Sequence, residues 1–187
     1  MFIQTEQTPN PATLKFLPGC PVLDGGTAFF EAKEAASSSP LALRLFDIEG
    51  VTGVFFGGDF ITITKSEEKE WYILKPSILG TVMEHFTAGR PVITDGAENL
   101  SAHAESSGEE DEEVVSQIKE LLDTRVRPAV AQDGGDIVFH GFENGVVYLR
   151  MQGACAGCPS SSATLKMGIE NMLRHYIPEV TEVRASE

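Results

Sequence analysis

Two of the three cysteines, Cys155 and Cys158, lie in the stretch GACAGCPSSS, Gly153 to Ser162. A C-x-x-C spacing lets two thiolates from one loop converge on a metal at about 2.3 Å. Gly153, Ala154, Ala156 and Gly157 keep side-chain bulk away, so the backbone can curl and a large inorganic group can approach. Nothing bulky in the stretch hides the thiols. Pro159 suits the first turn of a following helix, where its missing N–H costs nothing. Ser160 to Ser162 offer hydroxyls to unpaired helix N–H groups. The thiols therefore precede a helix N-terminus, whose partial positive charge favours an anionic metal–thiolate centre.

Stoichiometry then decides the chemistry. An iron–sulfur cluster is normally held by four cysteine thiolates, and this loop supplies two. Cys20, in LPGCPVL, leaves the count short and reads as a free thiol in a turn. Two copies of the chain meeting at their loops supply four ligands in a symmetric site. A cluster at such a seam can leave without unfolding either copy, which suits delivery. Two other chemistries use the same pair: a thioredoxin-type dithiol, and a zinc ion bridging two chains. Against the dithiol, the pair follows a hairpin late in a small module, not the first strand of a βαβ unit, and the proline follows the second cysteine.

Other polar residues form no comparable group. His85, His103, His140 and His175 are scattered and read as surface or packing residues. Asp133-Gly134-Gly135-Asp136 lacks the EF-hand pattern and reads as a turn from helix into strand. The serines have no paired histidine and aspartate, so no hydrolase, and no enzyme, is indicated. A net charge of −14 argues against nucleic acid as a partner. No apolar run approaches the roughly 20 residues of a bilayer span. The N-terminal MFIQTEQTPNPATLKF has no basic segment followed by an apolar block, so a cytoplasmic protein is expected.

The elements that must position the cysteines fall into two modules. Residues 96–113 hold seven acids, no base and almost no large apolar residue. Such a stretch cannot offset its ordering entropy by burial. It reads as an acidic flexible linker between a module at 1–95 and another at 114–187, giving two small α+β domains. In the first, FIQTEQT and TLKFLPG read as strands around a Pro-Asn-Pro turn. A short helix follows Pro40, VTGVFF and FITITK form a hairpin, and a helix places Ile78, Val82, Met83 and Phe86 on one face. In the second, a helix carries Val114, Ile118, Leu121, Leu122 and Arg125 on one face, limited or kinked by Pro128. A hairpin turns at Asn144-Gly145. After the cysteine loop comes a helix with Leu165, Ile169, Met172, Leu173 and Tyr176 on one face, then a short strand in EVTEVRA.

The stretch from Arg127 to Val180, with DGGD, G-x-C-x-x-C-P-S-S and TLK-x-GIE in order, resembles the C-terminal domain of NifU shared by the Nfu iron–sulfur proteins. FIQTEQTPNPATLKFLPG, SPLALRLFDIEGV and DFITITK resemble the N-terminal Nfu domain. The resemblance covers all but the linker. It implies a carrier or scaffold that receives a [4Fe–4S] cluster from upstream assembly factors and hands it to apo iron–sulfur proteins. It implies Cys155 and Cys158 as the cluster ligands, bridging a homodimer, with the N-terminal domain contacting partners. Cys20 is outside the family motif and takes no ligand role. A two-iron [2Fe–2S] cluster completed by glutathione thiols stays open. A mitochondrial member of that family needs an import sequence, and none is read in the N-terminal stretch, so a bacterial cytoplasmic protein, or a processed form from the mitochondrial matrix, is expected.

Overall fold

A computed structural model describes residues 1–94, 112–157 and 159–186. The chain divides into two compact units, Met1–Ser101 and Ala102–Glu187. Each mixes helices with its own sheet, as the α+β expectation requires. Most of the expected linker lies outside the described residues, although Glu112 and Glu113 already belong to a helix.

The first unit is a five-stranded antiparallel sheet: β1 (Gln4–Gln7), β2 (Thr13–Leu17), β3 (Ala28–Phe30), β4 (Val51–Phe56) and β5 (Ile61–Lys65), in the order β1-β2-β5-β4-β3. The turn between β1 and β2 is set by Asn10, whose Oδ1 accepts from the Ala12 N–H at 3.0 Å while its carbonyl accepts from Thr13. Helices α1 (Pro40–Phe46) and α2 (Trp71–Thr87) supply Leu41, Leu45, Leu74, Ile78 and Val82 to a core shared with Phe16, Phe30 and Phe56. Ser39 starts α1 by accepting from the Ala42 N–H. β3 and a 3-10 helix at Lys33–Ser38 were not legible in the sequence.

One expectation on α2 needs correction. Met83 is 43% exposed, and the buried stripe is Leu74, Ile78, Val82 and His85. His85 takes the place because its ring Nε2–H reaches the Pro91 carbonyl at 3.0 Å, an anchor Met83 cannot make.

The second unit opens on α3 (Glu112–Leu121), a π-turn (Leu122–Val126) and α4 (Arg127–Gln132), which run on without a break. Pro128 does not limit the helix; the irregularity that goes with it is the π-turn just upstream. A proline ring crowds the carbonyl four residues back and offers no N–H, and the wider π-turn just upstream relieves that conflict. The Arg127 N–H bonds to the Leu122 carbonyl, a five-residue span. The extra residue also shifts the buried face to Val115, Ile118, Leu122, Val126 and Val130, leaving Arg125 exposed with its guanidinium over the Tyr176 ring. Tyr176 is 48% exposed and does not join Ile169 and Leu173 in the core; Ile177 does.

β6 (Gly135–Glu143) and β7 (Val146–Gly153) form the expected hairpin. Asn144 and Gly145 both have positive φ, 51° and 79°, as a type I′ turn demands. The Gly145 carbonyl accepts from the Thr181 N–H at 2.7 Å, and a Cβ on Gly145 would lie 2.8 Å from the Thr181 hydroxyl. The turn thereby fixes the approach of β8 (Glu182–Ala185), which pairs parallel with β7 after α5 (Pro159–Tyr176).

Burial lowers the pKa of His85 below its ordinary 6.5, the Pro91 bond opposes this, and Arg44 and Arg90 add to it. As pH falls, the unfolded chain takes up that proton first. The contribution to stability is therefore full above 6.5 and is lost as pH falls from there toward the folded value. Denaturation followed by Trp71 fluorescence is expected to show a falling midpoint between about pH 7.5 and pH 5.5. His85→Gln should flatten the slope; an equal slope in both chains rules out His85 as its source.

Candidate metal centre

The cysteine loop joins the end of β7 to the start of α5. Its first turn folds back on the hairpin: the Cys155 N–H reaches the Gln152 carbonyl at 3.3 Å and the Ala156 N–H reaches the Gly153 carbonyl at 3.1 Å. Gly153 has φ of 62° and Gly157 of 71°, a backbone that side chains other than glycine resist. The Ala154 N–H is held by the Gly134 carbonyl at 3.1 Å, which pins the loop to the start of the facing strand.

Cys155 is only 6% exposed and packs with the core of the second unit. Its small neighbours suggested an open thiol; the turn points it inward. Gly135, cross-strand from Gly153, makes the space. A Cβ on Gly135 would stand 2.5 Å from the Cys155 Sγ and 2.9 Å from the Gln152 carbonyl oxygen. Cys158 lies outside the described residues. Cys20 is a half-buried free thiol in the first unit.

A buried ion pair supports the same strand start. Asp136 is 2% exposed; its carboxylate accepts from Arg127 Nε and Nη2, both at 2.9 Å, and from the Ile137 N–H at 2.8 Å. Arg127 also donates to Asp123 at 3.1 Å. The hydrogen bond to Asp136 is the largest influence holding this guanidinium above its ordinary pKa; burial opposes it, and the charges of Asp136 and Asp123 add to it. The stretch DGGD thus turns α4 into β6, as expected, and does more. Gly134 adopts φ of 80°, Gly135 leaves room for sulfur, and Asp136 fastens the strand to the helix.

Asp136 faces Gln152 across the hairpin. Gln152 is 8% exposed and its Oε1 has no hydrogen-bond partner among the described residues. Sequence reading missed Arg127, Asp136 and Gln152 as supports of the loop. A glycine opening a β-rich run was the available signal, since it marks close approach of another backbone or side chain.

Among the described residues no three His, Cys, Asp or Glu side chains gather as metal ligands. The loop's own donor chemistry is sulfur, which suits iron–sulfur clusters and zinc over hard cations. One argument against a dithiol also needs correction, because β7, α5 and the parallel β8 do form a βαβ unit with the loop at its first crossing. The burial of Cys155 weighs the other way, since a redox thiol must be reached by its target.

A family profile described as Scaffold protein Nfu/NifU N terminal matches residues 3–89, and one described as NifU-like domain matches residues 118–184. Over 184 residues the chain is 56% identical to a Homo sapiens protein named NFU1 iron-sulfur cluster scaffold homolog, mitochondrial, covering 98% of this chain and 71% of that one. The chain belongs to the Nfu/NifU scaffold family. An Arabidopsis thaliana member, NifU-like protein 4, mitochondrial, is 54% identical over 185 residues, 98% of this chain and 65% of its own length. A Drosophila virilis member is 55% identical over 184 residues, with 98% and 61% covered. This Nfu/NifU chain therefore spans 61% of the length of the fly relative and 71% of the human one.

The glycine slot yields a direct test. In the reduced, metal-free chain, Gly135→Ala is expected to cost about 1–3 kcal/mol by overpacking and to speed alkylation of Cys155 as the sulfur is pushed out. Mass spectrometry of alkylated peptides reads the rate. An unchanged rate with unchanged stability would mean that the sulfur does not rest against Gly135. Asp136→Asn should cost about 2 kcal/mol, below the range for fully buried pairs because the Arg127 side chain is 27% exposed. Faster hydrogen exchange at the Ile137 amide is the measurement.

Proposed function

We propose that this chain is a carrier of an iron–sulfur cluster, bound by Cys155 and Cys158 from each of two copies and passed to apo-proteins. The observation that supports it most is the supply of sulfur: one loop offers two cysteines, one of them seated in a slot that a glycine keeps open. Four thiolates suit a [4Fe–4S] cluster, and two copies provide them. The cluster is cargo, so the residues need only bind, shield and release it; no reaction is catalysed.

The fold supports release. Each copy contributes a single loop, and the core of its unit, with Cys155 at the edge of the loop, is built within the one chain. Separation of two such copies would therefore cost neither its fold. The relatives' names carry the words iron-sulfur cluster scaffold and mitochondrial, which favours the mitochondrial compartment over the bacterial cytoplasm. The two units, joined through the acidic stretch, would divide the work between partner contact and cluster binding. Partners are then a second copy of the chain, upstream assembly factors and apo iron–sulfur proteins. The excess negative charge remains unsuited to nucleic acid, and no described helix is long and apolar enough to cross a membrane.

Anaerobic reconstitution with iron and sulfide tests the reading. About two irons per chain are expected, as one four-iron cluster shared by two copies requires. Cys155→Ser and Cys158→Ser should each abolish the chromophore. A chromophore retained by both variants would overturn the ligand assignment, and zinc in place of iron after air-free isolation would favour the zinc-bridged alternative.

A further inference from the structure

The first unit holds a cavity of about 610 Å³ between β1 and the start of α2. Thr5 and Gln7 line it from the strand, Pro11 from the hairpin loop, and Trp71, Tyr72 and Lys75 from the helix. Strand register explains the gap. Thr5 pairs with Phe16 and Gln7 with Leu14, so all four side chains project to one side of the sheet. On β2 that side is buried in the core; on β1 it carries polar residues, and Gln7 is exposed. The helical layer stops one strand short of the sheet edge.

β1 is that edge. Among the described residues it pairs with β2 alone, so the backbone groups on its far side face no other described strand. An exposed edge beside a cavity under the helix is the arrangement into which a further strand fits. Its backbone would bond to β1, and alternate side chains would enter the cavity. The indole N–H of Trp71 donates to the Pro11 carbonyl at 3.2 Å, which ties the start of α2 to the hairpin loop beside the cavity. Tyr72, 77% exposed, gives the opening an aromatic rim.

We infer that an extended segment of a partner protein, bearing an acidic side chain, docks here by adding to β1 and placing its carboxylate against Lys75. Charge selects this occupant. Of the seven basic residues in 1–95, four are engaged in ion pairs: Lys15 with Glu6, Lys33 with Asp47, Arg44 with Glu84, and Lys69 with Glu49. Lys75 has no ion pair among the described residues, and no other charged residue lines the cavity. Lys65 adds a second cation nearby, 6.0 Å from the Trp71 ring centre. Lys75 is thus the one charged side chain in the cavity wall, in a chain of net charge −14. None of the cysteine-loop residues takes part, so docking at β1 stands or falls apart from cluster binding.

The test titrates capped peptides of alternating valine and threonine into the full-length, metal-free chain, one with glutamate at its centre and one with lysine. The sole tryptophan, Trp71, lies in the cavity wall and reports occupancy by its emission. Amide shifts of Gln4–Gln7 report strand addition. The glutamate peptide is expected to saturate the Trp71 response and shift the β1 amides, with the lysine peptide at least about tenfold weaker. Lys75→Glu, at a half-buried position in the cavity wall, should reverse that preference while circular dichroism stays unchanged. Failure of the glutamate peptide to saturate the response, equal affinity for both peptides, or saturation without change at β1 would each overturn the inference.

Discussion

A sulfur atom occupies the space that any side chain at Gly135 would need. That single close approach constrains everything around it. The strand must open with glycine, the loop must turn back at Gly153, and the Ala154 N–H must meet the Gly134 carbonyl for the turn to hold. The cysteine loop is consequently part of the core at its base and is not a free tether. Interiors packed this closely do not deform by small degrees, so the position of Cys155 is tied to the position of the whole hairpin end.

The fork of Arg127 on Asp136 fixes the other side of the same point. Two parallel hydrogen bonds to a buried carboxylate give direction as well as energy. Arg127 stands where the π-turn passes into α4, so the helix irregularity, the start of β6 and the cysteine turn meet within one short region. Breaking either partner would leave a charge poorly solvated. π-turns of this kind are often retained at functional sites, and here the turn both accommodates Pro128 and sets where Arg127 emerges.

Much of this was legible in the sequence, and the misses share a cause. Asn144-Gly145 announced its turn because only residues tolerant of positive φ serve there. Both long hairpins and the helix after Pro159 followed from periodicity and proline placement. Periodicity failed where side chains have other partners: His85 displaced Met83 through a bond to the Pro91 carbonyl, and Tyr176 left the core to lie under Arg125. β3 was too short to show a period. At the site, the cysteine spacing was plain, but the inward turn of Cys155 was not, because it depends on a contact between residues 20 positions apart. Arg127 and Asp136 likewise meet only once the helix and strand are placed.

Two cysteines in one loop cannot complete a four-thiolate site. Sharing between two copies would resolve that shortfall and would also explain how cargo could be surrendered. Native mass spectrometry of the anaerobically loaded protein tests the point directly. The expected species is two chains with one cluster, and loss of the cluster should accompany separation into single chains. A single chain that holds an intact cluster with no added thiol would contradict shared ligation.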